Sequence, residues 1–392
     1  MKVSLSHSFS PIKAPGTVTS GAPLLDPAGA RVILGSEDDA LAQPITPLAH
    51  RLFGPRGVCL HEDGSFWVSD TGHHRLLGWK SVPVRDDTPA DILVGQPHFG
   101  REGRNAKGPA TAATLNVPTG VVAFRGGLAV ADPWNHRVLI WRQTPTGPDH
   151  MADIILGQAE GHSVLANHGS DTPRADTMHW PYGVTVVGKK LIVCDSGNRR
   201  VLIFDDPQRT GQAADLVLGQ DGFECRDENA GGPVSARSMR WPHMAVAWRD
   251  GLALADSGNN RIMIWDRPPT RNGQAADAML GQSDLTSCDP NMVDYYPSAQ
   301  ALNMPYAVAT LGERLVVADT ANSRLLGFSG STTGESADRL IGQPDFAAKG
   351  DNRWGIAQRD TMCWPYGLSS RGSVLAVADS GNNRVLIWDA AS

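Results

Sequence analysis

The chain has 392 residues, 41% of them hydrophobic, with 42 Gly, 27 Pro and a formal net charge of −6. A negative total and a pI near 6.0 provide no global field for nucleic acid or an anionic membrane surface, so neither is an expected partner. So many Gly and Pro in so apolar a chain suit short strands joined by tight turns, and one all-β domain of this length is within range.

Residues 1–29, which open MKVSLSHSFSPIKAPG, carry no periodicity and no apolar run of signal-peptide length; they read as an extended, mobile arm. No run elsewhere approaches a membrane span. The first strand signal is ARVILG, Ala30 to Gly35. A strand led by Pro55 follows, then a strand ending at Asp70, a turn DTGHHR, a strand opening at Arg75, and DILVGQ ending at Gln96. The locally basic loop GREGRNAKG (Gly100 to Gly108) reads as solvated.

The same order then recurs along the chain. The Asp-to-Arg pairs are Asp70/Arg75, Asp132/Arg137, Asp195/Arg200, Asp256/Arg261, Asp319/Arg324 and Asp379/Arg384, with successive Asp residues 60 to 63 positions apart. Strands of the LGQ type end at Gln96, Gln158, Gln220, Gln282 and Gln343, and ARVILG is a further copy with Ser36 in the Gln position. Strands led by Pro begin at Pro55, Pro118, Pro181, Pro242, Pro305 and Pro365.

Each unit therefore holds four short strands, as in DIILGQ, WPYGVTVV, KLIVCD and RRVLIF of the third. VLIF and VLIW are apolar on both faces, so both faces must be covered, which blades stacked around an axis achieve. The fold class predicted is all-β: a six-bladed propeller of four-stranded antiparallel blades over residues 30–390. Ala30 to Gly35 is expected to complete the last blade, built by Trp364 to Asp389, and so close the ring.

The five cysteines (Cys59, Cys194, Cys225, Cys288, Cys363) are odd in number and scattered without a CxxC. They read as free thiols in a reducing compartment. A soluble, cytoplasmic monomer is the expectation.

ADSGNNRVLIWD (Ala378 to Asp389) and ADSGNNRIMIWD (Ala255 to Asp266) resemble the hallmark of the NHL-repeat family of six-bladed propellers, and the resemblance covers about residues 30–390. It implies the fold strongly and the function weakly, since propellers host binding modules and enzymes alike. Many members are interaction platforms. Some bacterial members with LGQ-type repeats accompany metalloenzyme systems such as hydrogenases, which implies an assembly-factor role as one expectation.

A group needed in every blade is structural, whereas a catalytic group is needed once. The Asp, Arg and Gln of the repeats are accordingly read as scaffold, with Gln bonding loop backbone. The departures are more informative. His73, His74 and His136 fall in the first two turns and are weak metal candidates. The links from Gln to Pro span 22 or 23 positions, long enough to crown the face that carries the Asp-to-Arg turns, and each is expected to end in a helical turn, as at SARSMRW and SAQALNM.

Two rings of variable residues are expected to converge on the channel mouth at that crown. Two positions before each Pro stand Phe53, Asn116, His179, Arg240, Asn303 and Cys363; just after it stand Arg56, Thr119, Tyr182, His243, Tyr306 and Tyr366. The Trp residues before Pro (Trp180, Trp241, Trp364) are expected to pack between blades. The repeats DTMHWPYG and DTMCWPYG, which differ only at His179 and Cys363, put these two on opposite blades as lining residues.

The function expected is binding of a protein or peptide at this mouth, without catalysis and with no cofactor. The alternative is a metal-dependent propeller enzyme, a lyase or hydrolase, with Zn or Ca at the mouth. The amidating lyases that this family resembles hold zinc with three His; here His179 and His243 are candidates but a third is missing. The Glu that holds calcium in gluconolactonase-type propellers is missing too, because the first inner strand opens FGPRG.

Overall fold

The computed structural model describes residues 21–35 and 46–391. The first twenty residues of the N-terminal segment, Ser36 and Ser392 lie outside the described residues. Six antiparallel sheets follow one another around a ring, each built on four strands. In the third blade these are Pro181–Val187, Lys190–Asp195, Arg200–Asp205 and the short outer Leu216–Leu218. Inner strands of successive blades lie against one another, and the inner strand of the sixth lies against that of the first.

The apolar third strands are buried as their two-faced pattern requires: every residue of Arg137–Trp141 and Arg261–Trp265 is buried. Their terminal Trp residues fill the space between sheets, and Trp141 Nε1 donates to His150 O at 2.9 Å. Each core cluster joins two neighbouring blades, so the hydrophobic stabilisation of the fold is shared around the ring rather than confined to single sheets.

Closure follows the sequence. Val32–Gly35 is the fourth strand of the sixth blade and pairs antiparallel with Arg384–Asp389, Val32 opposite Ile387. Residues 21–26 pack across the adjoining blades, and the chain turns at Asp26–Gly29, where the Gly29 amide donates to Asp26 O at 3.0 Å. Ala22–Pro23 adds a parallel fifth strand to the outer edge of the fifth blade, Leu24 and Leu25 are buried, and Trp388 Nε1 donates to Asp26 O at 2.9 Å.

The Asp-to-Arg turns all use one plan. Oδ1 of Asp195 accepts the His179 amide at 2.7 Å, while Oδ2 accepts Arg200 Nε and Asn198 Nδ2 at 2.8 Å each. Arg200 then donates through Nη1 to Phe223 O and through Nη2 to the Arg174 and Thr177 carbonyls, stitching both adjoining links to the blade. Gln158 does the same from the outer strand: its Nε2 donates to Leu165 O at 3.0 Å and His136 O at 3.3 Å. A buried Asp and a buried Arg are tolerable because each satisfies the other and the remaining donors meet carbonyls.

The links differ from expectation in one respect. Their single 3₁₀ turn lies in mid-link, as at Glu228–Gly231 and Pro290–Val293, with Asn229 and Asn291 at φ of 50°. The stretch SARSM closes instead as a tight turn, whose Ser238 bridges to Gly219. The reason is an asparagine pair. Asn229 Oδ1 accepts Asn259 Nδ2 at 2.8 Å, and the same side-chain pairing joins Asn105 to Asn135, Asn167 to Asn198, Asn291 to Asn322 and Asn352 to Asn382.

Candidate functional site

The proline that leads each inner strand delivers the following side chain to the central axis, and the six residues there have unlike chemistry. Tyr182 and His243 have ring centroids 4.4 Å apart, His243 and Tyr306 4.1 Å, and Tyr306 and Tyr366 4.5 Å. The Arg56 guanidinium lies over the Tyr366 ring at 4.7 Å and beside the Tyr182 hydroxyl. Thr119 is buried, its Oγ1 donating to Tyr182 O at 2.6 Å. Tyr182 and Tyr306 belong to blades two apart in the ring, yet their centroids are only 6.0 Å apart. Five side chains thus meet across the axis and fill the channel at this level.

Above this plug, on the crown face, lies a depression of about 430 Å³ between the sixth, first and second blades. Its walls include Phe53, His74, Trp364 and Tyr366, with Arg56 among the lining residues and no carboxylate among the described ones. Burial, with help from the Arg56 charge, lowers His243 to about 4, although its Nδ1–H donates to Trp241 O at 2.9 Å. Burial also pushes Tyr306 up to about 12, and Cys363 to about 12, the latter with added repulsion from Asp351 and Asp379. The tyrosines and Cys363 are therefore protonated and His243 neutral at pH ~7, leaving Arg56 as the permanent charge of the plug.

The ring two positions before Pro does not converge on the axis. Its backbone is held by the Asp of its own turn, and its side chains lie over that turn: His179 against Gly197, Arg240 against Gly258 and Cys363 against Gly381. A Cβ at Gly197 would meet the His179 carbonyl oxygen at 2.4 Å and its Cγ at 2.7 Å, so this turn position is held to Gly. Where the overlying residue is Asn116 or Asn303, the turn carries Trp134 or Ala321 instead. Asn116 is buried, while Asn303 is half-buried. Arg240 pairs with Glu228 at 3.0 Å and lies over Trp241 at 5.1 Å. His179 packs edge-on against His136 at 5.2 Å, half a ring of blades away from Cys363.

The three turn histidines have structural duties. His73 stands where other blades have Asn, and its Nδ1 bonds Asp70 Oδ2 at 2.8 Å. His74 and His136 occupy the left-handed position that ends the turn, at φ of 55° and 53°. Their Nδ1 atoms accept amides of the next blade, from Val117 at 3.0 Å and Trp180 at 3.1 Å. Asn260 and Asn383 make the same inter-blade contact, to Met304 at 2.8 Å and Gly54 at 2.8 Å. An imidazole that accepts at Nδ1 carries its proton on Nε2 and has no lone pair left for a metal. Among the described residues no three His, Cys, Asp or Glu side chains are grouped to hold an ion, so the donor set fits neither zinc nor calcium.

A second inter-blade contact was not legible as such. Thr71 Oγ1 donates to Pro118 O at 2.7 Å, Ser196 Oγ to Pro242 O at 2.5 Å and Thr320 Oγ1 to Pro365 O at 2.7 Å, and Ser257 and Ser380 likewise reach Pro305 O and Pro55 O. The asparagine pairs were also missed, although an Asn stands nine positions after each of the five Gln residues.

The Trp residues before Pro correct another expectation. Trp180 is 49% and Trp241 40% exposed, so they stand on the crown face rather than between blades. Trp180 and Trp364 take a left-handed φ of 52° before the proline, and Trp364 is half-buried, its ring stacked 6.3 Å from that of Tyr366. Trp180 stacks with Trp134 at 6.4 Å, and Arg104 lies over Trp134 at 5.1 Å.

A family model described as NHL repeat matches residues 54–79, the three inner strands and the Asp-to-Arg turn of the first blade. The chain is a six-bladed β-propeller that carries a match to the NHL repeat. Among curated proteins, none matches it. It is similar in fold to the WD40 propeller domain of Doa1, at 9% identity and a TM-score of 0.45, covering 94% of this chain and 96% of that one. A streptogramin B lyase structure aligns at 11% identity and a TM-score of 0.46, over 88% of this chain and 96% of that one. A protein of unknown function from Bacteroides thetaiotaomicron aligns at 11% identity and a TM-score of 0.46, over 95% and 76%. No helix among the described residues of this propeller is long and apolar enough to cross a membrane.

Proposed function

We propose that the crown face of this NHL propeller binds a protein or peptide partner and that the channel mouth is the centre of that contact. One observation carries the reading: Phe53, Trp134, Trp180 and Trp241, each 40% to 49% exposed, stand on one face around the axis, two of the tryptophans under arginine guanidinium groups. Exposed Trp and Arg at the centre of a surface are the residues that dominate protein interfaces when buried by a partner. The net charge of −6 favours protein over RNA as the occupant. An assembly factor of a metalloenzyme such as hydrogenase is one form of this reading, suggested by the resemblance of the repeats.

The test is affinity capture from the source cells with the full chain and with a Trp180→Ala, Trp241→Ala double variant. The reading expects a stoichiometric partner, identified by mass spectrometry, that the variant loses while its circular dichroism is unchanged. The same set of proteins on both baits would overturn it.

A further inference from the structure

Arg56 differs from the other buried or half-buried arginines of the repeats. Arg75, Arg137, Arg200, Arg261, Arg324 and Arg384 each have the Asp of their own turn at 2.7 to 3.0 Å. Among the described residues Arg56 has no such counter-ion: its neighbours are the hydroxyl-bearing rings of Tyr182, Tyr306 and Tyr366. Among the described residues no carboxylate lines the depression above it, and its other basic side chain, His74, has Nδ1 occupied by the Val117 amide and so presents Nε2–H as a donor. A partly desolvated cation, unmatched by any described carboxylate and flanked by aromatic faces, is a site for an anion attached to an apolar group.

The depression is also closed below. The rings of Tyr182, His243, Tyr306 and Tyr366 bar passage along the axis. A chain end can enter such a blind depression, whereas an internal segment would have to turn back within about 430 Å³.

We propose that this depression is a carboxylate pocket that takes the C-terminal carboxylate of a docked peptide, with Arg56 holding the anion and Phe53, Trp364 and Tyr366 flanking the last side chain. The inference rests on the partner-docking reading above and specifies what enters the mouth. It needs no covalent step, metal or cofactor.

The probe is N-acetyl-L-phenylalanine, which carries an α-carboxylate, an acylated nitrogen and an aromatic side chain, measured by isothermal titration calorimetry against its amide. The free acid is expected to bind at least ten-fold more tightly than the amide. Arg56→Gln should abolish that difference, and Arg56→Lys should keep the preference at reduced affinity, because ammonium retains the charge without the planar fork. Equal binding of acid and amide to the unaltered protein would overturn the proposal without recourse to any variant.

A peptide amidated at its end, with one internal Glu, should bind at least ten-fold less tightly than the same peptide with a free terminus. Equal affinity would overturn the assignment to a chain end. The two readings fail separately. Partner capture that depends on Trp180 and Trp241, with no preference for the acid, would leave the docking surface standing and remove the carboxylate pocket. A clear preference for the acid, lost in Arg56→Gln, with no partner captured by the crown, would do the reverse.

Discussion

The Asp-to-Arg turns and the axial ring occupy equally regular positions, one of each in every blade. At the turn the chemistry is uniform: Arg Nε meets Asp Oδ2 at 2.7 to 3.0 Å in all six blades, and every group involved is buried. At the axis the six blades contribute Arg56, Thr119, Tyr182, His243, Tyr306 and Tyr366. The turn must satisfy the same buried backbone groups six times, so one solution is repeated. The axis needs only to be filled, and its composition is free to serve a ligand. Repetition marks the frame, and divergence within it marks the place where the molecule can bind something.

The comparison breaks most visibly if a turn is cut. Asp256→Ala strands Arg261 and orphans the Arg240 amide, so it should destabilise the chain by about 3–5 kcal/mol in chemical denaturation, as for other broken buried pairs. A loss below about 1 kcal/mol would place the turns among dispensable decoration.

A pH titration of stability probes the axis. His243 stays neutral in the folded chain down to about 4, chiefly through burial, and His136 is lowered by burial to about 4 as well. Unfolded histidine protonates near ~6.5. Their stabilising contribution is complete above that value. As pH falls through the window the unfolded state takes up protons that the folded state refuses, and stability drops by up to about 1.4 kcal/mol per pH unit for each group. His243→Gln should flatten this dependence between pH ~6.5 and ~4; an unchanged slope would mean that His243 is solvated rather than sealed in the plug.

The contacts between blades give a smaller effect. Ser257→Ala removes one hydroxyl that reaches Pro305 O in the next blade, and should cost about 1 kcal/mol with no change in what the crown binds.

How much of this was legible in the sequence follows from the same contrast. The spacing of the Asp-to-Arg pairs and the LGQ strands was enough to number the blades and to place Val32–Gly35 at the seam, because a repeat imposes its register on every copy. The axial set was legible as positions, since the residue after an inner-strand proline must point one way. What the sequence hid was distance. Nothing in it says that Tyr182 and Tyr306 meet across the axis, or that His179 and Cys363 turn back over their own turns rather than toward the channel. Nor does it show that His74 and His136 spend their acceptor nitrogens on the neighbouring blade, although Asn at the same place in the fourth and sixth turns was a hint that a side-chain acceptor is wanted there.

The smallest expected effect on stability belongs to Arg56→Gln. Removing a cation that has no counter-ion among the described residues also removes its desolvation cost, so the change should stay within about 1 kcal/mol of zero. That makes one paired measurement decisive: denaturation midpoint and N-acetyl-L-phenylalanine affinity, taken together on the unaltered chain, Ser257→Ala and Arg56→Gln. Separate frame and mouth predict that Ser257→Ala lowers the midpoint and keeps the affinity, while Arg56→Gln keeps the midpoint and loses the preference for the acid. Affinity that tracks the midpoint in both variants would contradict the division of the molecule into a repeated frame and a binding mouth.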